Sequence, residues 1–415
     1  MIIQNGYVLQ NSTVEKKNIC IKGNTITEIG KNVKGSDILD ASNHLVMPGL
    51  VNTHTHLAMT LLRGYADDVP LEEWLKDYIW PKEMKLTPED VYYGNLLGII
   101  EMIKSGTTCF SDMYLHVNKA VQAVKESGIR AVISWPMADL GDRKRGAYMI
   151  KEALKFIKTV NEERIDTAFG PHSPYMCSSD FLLDVQEHAH KLGKIVHIHL
   201  HETEDEIKKF QKRHEKTPIE LLESIGFLQE NVCAAHVVHV SEGELDILKK
   251  YNVRVMHCPA SNLKLANGIA PVADMIRKGV CVSLGTDGAA SNNTLDLFSE
   301  MRLMALLQKL KNPQGLNADT AVKIATENGG TALNVNTGRI EKGFLADLIL
   351  IDLKKVFMVP RHDLLSNVVY SMNSSAVDTV MIDGEIVMKN RKILTVDEDK
   401  IIEKAQEHAF DLMNR

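Results

Sequence analysis

Two imidazoles one residue apart are the first sign of chemistry in this sequence. The stretch PGLVNTHTH ends in His54-Thr55-His56. In a strand, residues i and i+2 face one side, so both rings can grip one metal ion. Strands that bind nothing carry the same spacing, so this pair alone leaves the question open. In IVHIHLHETE, His197, His199 and His201 alternate and Glu202 follows. A histidine three residues before a glutamate can bind metal while the carboxylate reaches the adjacent water from the strand-end loop. That favours His199 with Glu202. His197 then lies one layer deeper as a hydrogen-bonded core histidine, and His201 is expected on the wall or against solvent. In VSLGTDGAASNN an apolar run ends in Thr286-Asp287. That carboxylate could ligate metal, take a proton or cap a helix. His236 closes the run VCAAH, and His239 three residues on reads as structural or surface. Three imidazoles and a carboxylate suit Zn2+ or Fe2+ and leave a position for water. Neutral His and ionised Asp are the forms that bind. No lysine closes DTAFGPHSP, which speaks against a lysine-bridged pair of metals. The H-x-E…P-C-x-x-C pattern of the nucleobase and cytidine deaminases is absent.

These side chains need strands to carry them. Eight apolar runs read as strands: LVMPGLVN, TTCFSDM, RAVIS, DTAFGP, IVHIHL, VCAAH, RVMHCP and VCVSLGTD. Amphipathic stretches such as PEDVYYGNLLGIIEMIKSG and TPIELLESIGF lie between most of them. That alternation predicts a parallel (β/α)8 barrel of the TIM type. A doubly wound sheet is the competing fold, but no G-x-G-x-x-G or P-loop pattern opens a helix. Barrel chemistry sits at the C-terminal strand ends. Here those ends carry His54 and His56, Asp112, His172, His199, His236, His257 and Asp287.

Both ends of the chain read as strands and hairpins, with Asn-Gly, Gly-Asn and Asp-Gly turns. The simplest architecture joins them in one small β-sandwich. The expected division is therefore 1–47 with 337–415 for the composite sheet domain, and 48–336 for the catalytic barrel. The last stretch, DEDKIIEKAQEHAFDLM, has the spacing of an amphipathic helix. A chain of 415 residues fits a barrel plus a smaller unit.

With 44% apolar and 25% charged residues the composition is that of a soluble globular enzyme. The net charge of −6 argues against nucleic acid or an anionic membrane as the partner. Six scattered cysteines with no C-x-x-C pair predict free thiols in a reducing, cytoplasmic compartment. The opening MIIQNGYVLQ lacks a basic segment followed by an apolar one, which speaks against a secretory signal. No apolar run approaches the roughly 18 residues of a membrane span.

Taken in order, PGLVNTHTH, HLHETE, AAHVVH, MHCPASNLKLANGIAPV and LGTDGAASNN resemble the amidohydrolase superfamily. Within it the chain resembles the 5′-methylthioadenosine/S-adenosylhomocysteine deaminase branch. The similarity runs over nearly the whole chain, including ADLILIDL and MIDGEIV of the split sandwich. The resemblance implies hydrolytic deamination of 5′-substituted adenosines around one divalent ion, Zn2+ in the first place, Fe2+ or Mn2+ as alternatives. It implies His54, His56, His199 and Asp287 as ligands, Glu202 as the proton shuttle and His236 as the group orienting water. It further implies Glu83 as acceptor for the ribose hydroxyls, His172 and Ser291 as substrate contacts, and Arg143 or Arg145 as a clamp for a substrate carboxylate. A homodimer or a dimer of dimers is implied as well. One departure bears on substrate. Some relatives carry an arginine after the third strand, where this chain has Trp135.

Guanine, a chlorinated triazine or another cyclic amidine remains the alternative substrate on this scaffold. A catalytically dead relative kept as an assembly module would be expected to have lost ligands, and here every one is present. In EEWLKDYIWPKE, Trp74 and Tyr78 read as core aromatics, with Trp80 a candidate wall for the base or a thioether.

Overall fold

The computed structural model describes residues 1–33, 35–310 and 312–415. Eight parallel strands form one sheet: β1 (Leu50–Thr55), β2 (Thr107–Met113), β3 (Arg130–Met137), β4 (Ile165–Pro171), β5 (Val196–Leu200), β6 (Val232–His236), β7 (Arg254–His257) and β8 (Cys281–Leu284). Each pairs in parallel with its sequence neighbours. Between β8 and β1 the barrel is closed by single bonds rather than a regular ladder. Thr53 Oγ1 donates to Leu284 O at 3.0 Å, and Asp287 N–H donates to His54 O at 3.0 Å. Asn52 and Thr286 exchange two further bonds, of 2.8 and 3.1 Å. Val51, Cys109, Val132, Ala168, Cys233, Ala235 and Met256, from six of the strands, pack with Leu333 into the filled interior typical of such barrels.

One expected strand proves to be two. LVMPGLVN splits at Gly49 into His44–Pro48, which joins the terminal sheets, and β1, which opens the barrel. Proline ends a ladder because it has no N–H to donate. Gly49 then lets the chain pass Thr108, whose hydroxyl would lie 2.1 Å from an added Cβ.

The terminal strands form two sheets. Thr25–Gly30, Asn18–Lys22, Ile2–Gln4 and Ile38–Asp40 make one. The other, of seven strands, mixes both ends of the chain: Leu348–Asp352 pairs antiparallel with His44–Pro48. Ile3, Ile19, Ile21 and Ile26 of the first sheet share a core with Val8, Val46, Leu348 and Met381 of the second. The turn Asp383-Gly384 has positive φ at both residues, 58° and 78°, the conformation that two-residue hairpins favour. The final helix, Glu398–Asn414, was grouped by sequence with these sheets. Instead its Ala405 and Leu412 are buried with Leu62, Trp74, Ile79 and Leu86 on the flank of the barrel. Among the described residues no helix is long and apolar enough to cross a membrane. All six cysteines are free.

Candidate active site

The histidines converge at the C-terminal rim of the barrel. His54 Nε2 and His56 Nε2 lie 3.3 and 3.4 Å from Asp287 Oδ1, and His199 Nε2 lies 3.2 Å from His56 Nε2. In every case the opposite ring nitrogen is committed elsewhere. His56 Nδ1 donates to Met113 O at 2.6 Å and His199 Nδ1 to His172 O at 2.8 Å. His54 Nδ1 meets His197 Nε2 at 2.6 Å, and His197 Nδ1 meets Ser134 Oγ at 3.2 Å and Ser111 Oγ at 3.3 Å. Fixing Nδ1 in this way leaves each Nε2 with a lone pair aimed at one point. His197 is thus the deeper, hydrogen-bonded histidine that the alternation suggested.

Burial pushes the His54 imidazole down to about 3 despite the neighbouring Asp287, and it also lowers His199 well below the usual range. Both rings are therefore neutral near pH 7, which is the ligating form. Burial alone would raise Asp287, but the His54 contact and the surrounding imidazoles hold it well below the usual carboxylate range. Its second oxygen, Oδ2, accepts from Ser261 Oγ at 2.6 Å and Ser291 Oγ at 2.7 Å. So Oδ1 is left facing the histidines. His54, His56 and His199 form one group able to hold a cation, and His54, His236 and Asp287 form another, with ligand atoms within 4.8 Å of one another in each. Among the described residues the buried His54 Nε2 has no hydrogen-bond partner. A buried nitrogen left without a partner costs free energy unless something else satisfies it. The residues present fit a divalent cation.

The rim contains strained backbone that its surroundings must hold in place. His236 and Asp287 have φ of 72° and 62°, a left-handed conformation that non-glycine residues rarely adopt. Glycine on each side of Thr286-Asp287 permits the close approach. A Cβ on Gly285 would sit 2.9 Å from His54 Cβ, and one on Gly288 would sit 2.5 Å from Met59 Sδ. Asp112, at the end of β2, turns away from the cavity. It accepts from Leu57 N–H at 2.7 Å and Thr55 Oγ1 at 3.0 Å, and so braces the strand that carries the two histidines. His257 likewise is not among the residues lining the cavity.

A cavity of about 200 Å3 opens over the cluster. His172 lies on one side, its ring stacked on His199 with centroids 4.6 Å apart. Glu202 lies near His236: Oε1 accepts from Asn267 Nδ2 at 2.9 Å and Oε2 is 3.9 Å from His236 Nε2. Burial raises the Glu202 carboxyl above its ordinary range. Burial would lower His236, but the Glu202 and Asp287 carboxylates more than offset it and the net shift is upward. Asn262 Oδ1, 2.9 Å from His236 Nδ1, fixes the ring so that Nε2 points to the cavity. Glu83 lines the cavity, and burial raises its carboxyl too. Leu71, Trp74, Leu75, Leu115, Met176 and Leu265 supply apolar surface. Trp74 is core and wall at once, while Trp80 is 41% exposed at the mouth.

Several expected contacts are placed differently. Arg143 and Arg145 do not line the cavity. Asp142 caps the helix Arg143–Thr159. Arg143 extends to Asp180 at 2.9 Å with its side chain 90% exposed, and Arg145 Nε donates to Ala138 O at 2.7 Å. Trp135 packs on Phe156, so it is Pro136, near the end of β3, that faces the cavity. Ser291 reaches the cavity, but its hydroxyl is engaged by Asp287. His201 was expected on the wall or against solvent. It is fully buried, with Nδ1 bonded to His239 O at 2.7 Å and Nε2 accepting from Ile219 N–H at 3.3 Å. Sequence reading gave no role to Ser261, Asn262 and Asn267, although all three lie in the quoted stretch MHCPASNLKLANG. Polar side chains following an apolar strand were the available signal.

Residues 45–387 match the amidohydrolase family. The chain belongs to that family. It is 47% identical to the 5′-deoxyadenosine deaminase of Methanocaldococcus jannaschii, covering 95% of this chain and 96% of that protein. It is 46% identical to the 5-methylthioadenosine/S-adenosylhomocysteine deaminase of Thermococcus sibiricus, with 94% of each covered. A crystal structure of an adenosine deaminase from Xanthomonas campestris with bound zinc superposes with a TM-score of 0.96 at 32% identity, over 100% of this chain and 98% of that one. The histidine–aspartate cluster of this amidohydrolase is therefore a site that can hold a metal ion, and a related solved structure carries zinc.

Proposed function

We propose that this amidohydrolase is a hydrolytic deaminase of 5′-substituted adenosines, selective for uncharged 5′ groups, and that its ion is Zn2+. One observation carries the reading. A single cavity brings the ligand cluster, Glu202 and His236 together with Glu83, and among its described lining residues there is no lysine or arginine. The names of the relatives support a 5′-modified adenosine as substrate. A methyl or methylthio group matches the Leu, Met and Trp surface, whereas a carboxylate would find no fixed cation there. The catalytic unit on this reading is residues 48–336.

His54, His56, His199 and Asp287 would hold the ion. When bound it supplies Lewis acidity, which lowers the pKa of water from about 15.7 towards roughly 7. His236, fixed through Nδ1 by Asn262, directs Nε2 at the water that adds to C6. Glu202, protonated more readily because it is buried, gives its proton to ring nitrogen N1 as that bond forms. Asp287 and His236 take the proton that the water loses. That proton passes to the amine, which leaves as ammonia, and the C6 hydroxyl proton returns to Glu202 as the carbonyl forms, so adenosine derivative plus water gives the inosine derivative plus ammonia. Glu83 accepts hydrogen bonds from the ribose hydroxyls, and a buried acid paired in this way rejects substrates that lack them. Ser291 acts through Asp287, and His172 forms the wall beside the base.

A second reading has its own observation. An outer chamber of about 820 Å3 adjoins the cavity across Leu71, Leu75, Trp80, Tyr175 and Leu265, and Glu206, Lys209 and Arg213 of one helix line it. A long zwitterionic 5′ chain would extend into it. Ammonia release from 5′-deoxyadenosine, 5′-methylthioadenosine, S-adenosylhomocysteine, adenosine, adenine and guanine decides between the two. Higher kcat/KM for the two neutral 5′ derivatives supports the first reading, and preference for S-adenosylhomocysteine supports the second. Turnover of a free base alone overturns both. Chelation should abolish activity, with Zn2+ restoring it.

A further inference from the structure

We infer that helix Glu398–Asn414 is a positioning element for the substrate's ribose, and that Lys82 is the residue through which it acts on Glu83. The inference rests on the proposed pairing of Glu83 with the ribose hydroxyls. Glu83 ends a short helical segment outside the barrel strands, in which the π-helical stretch Trp74–Ile79 leads into Trp80–Glu83 ahead of the helix Pro88–Lys104. A ribose acceptor on such a segment needs a rigid support, because a misplacement of about 1 Å can cost up to roughly a hundredfold in rate.

The support is visible on both sides of Glu83. Lys82 Nζ donates to Met413 O at 2.9 Å and to Leu412 O at 3.3 Å. Those are the last-turn carbonyls of the helix, which have no partner within it and carry its partial negative charge. A lysine ammonium is well suited to cap them. Among the described residues no carboxylate lies within ion-pair distance of Lys82, so the carbonyls are its polar anchor. Two residues beyond Glu83, Lys85 Nζ donates to Arg415 O, and Arg415 Nη1 returns a bond to Lys85 O at 2.9 Å. The arrangement is tied to the barrel. Arg415 Nη2 bonds Asp90 at 2.8 and 2.9 Å, and His408 Nδ1 bonds the same carboxylate at 2.7 Å. Asp90 is the third residue of helix Pro88–Lys104 and closes its capping box with Thr87. Beneath these bonds, Leu412 packs with Trp74, Ile79 and Leu86. The chain on either side of Glu83 is thus fixed to one helix by side chains that do not touch the cavity.

The test is Lys82→Met, with Lys82→Arg as the conservative control, in the full-length metal-loaded protein. For 5′-deoxyadenosine, Lys82→Met should raise KM about tenfold with kcat within about twofold. For the analogue lacking the 2′- and 3′-hydroxyls, KM should not change, and Lys82→Arg should restore the parent KM. Amide hydrogen exchange supplies a readout that needs no turnover: residues 80–86 should exchange faster in Lys82→Met, while 50–56 should not. An unchanged KM, an equal rise for both substrates, or unchanged exchange in 80–86 overturns the inference. Failure of the parent protein to deaminate any nucleoside would instead overturn the functional reading, and the exchange result would still decide whether the helix holds the segment.

Discussion

Glu202 faces His236 with one carboxylate oxygen and is held by Asn267 through the other, so its position does not depend on the metal ligands. Glu202→Gln keeps the shape and the Asn267 contact but cannot carry the proton. It should retain metal while turnover falls by roughly 10²–10⁴; metal content and ammonia release measured on one preparation check this, and near-parent turnover would defeat the assignment. Gly285 makes the opposite kind of prediction. An alanine there would press on His54 Cβ, 2.9 Å away, and on His54 N, 3.0 Å away. Neither atom is the end of a flexible side chain, so the strand must shift and the ligand with it. Gly285→Ala should weaken metal retention against a chelator by about 10–100-fold. Retention equal to the parent would show that the rim tolerates the Cβ. At this scale the convergence of these side chains was legible because histidines at alternate strand positions and a carboxylate after an apolar run have few other reasons to coincide. The arginines were not legible. Their partners, Asp180 for Arg143 and the Ala138 carbonyl for Arg145, lie outside GDRKRGAY and are not visible in its spacing.

Elements explain why polar residues outside the strands matter as much as those within. The short helix Pro259–Lys264 carries Ser261, which holds Asp287, and Asn262, which holds His236. Glu300, buried on the helix Leu297–Leu307, ties this helix to the loop after β8: Oε2 accepts from Ala260 N–H at 3.0 Å and Oε1 from Asn292 Nδ2 at 2.9 Å. Two strand ends are therefore set by one helical turn. Asn262→Ala leaves His236 Nδ1 without its acceptor, so the ring can rotate. Here kcat should fall about 10–100-fold, with Asp287 still held by Ser261 and metal retained. A loss of metal equal to the loss of rate would instead make His236 a ligand, as the second cation-binding group allows. Most of the strands were legible as apolar runs; VCAAH and TTCFSDM match β6 and β2 residue for residue. LVMPGLVN was read as one strand although the expected domain boundary falls within it, because both halves are apolar and fully buried strands show no alternation. The closing helix was legible as a helix but not in its docking, since periodicity gives a buried face without naming what covers it.

Across the whole molecule, the barrel and the terminal sheets are joined by buried charge as well as by apolar packing. Arg130, at the start of β3, donates to Asp347 at 2.8 and 3.2 Å and to Asp383 at 2.8 Å. Arg164 reaches Asp383 at 3.3 Å, and Asp383 N–H donates to Asp347 Oδ1 at 2.7 Å. The side chains of Arg130, Asp347 and Asp383 are 7%, 0% and 6% exposed. No local pattern announces this network, because each arginine lies more than 200 residues from the aspartate it meets. Charges this deep are costly to desolvate, and removing one partner strands the others. Arg130→Met should therefore destabilise the fold by about 3–5 kcal/mol. The active site should be spared. Arg130 begins a strand of eight residues whose other end is at the rim, about 25 Å away at roughly 3.3 Å per residue. The expected result is a lowered denaturation midpoint with kcat at 25 °C close to the parent. Adding Asp347→Leu should recover part of the loss, as apolar replacement of buried ion pairs often does, though Asp383 N–H then lacks its acceptor. A midpoint unchanged in Arg130→Met would mean that the join rests on the apolar core alone, whereas a collapse of kcat with an unchanged midpoint would mean that the base of the barrel sets the geometry of its rim.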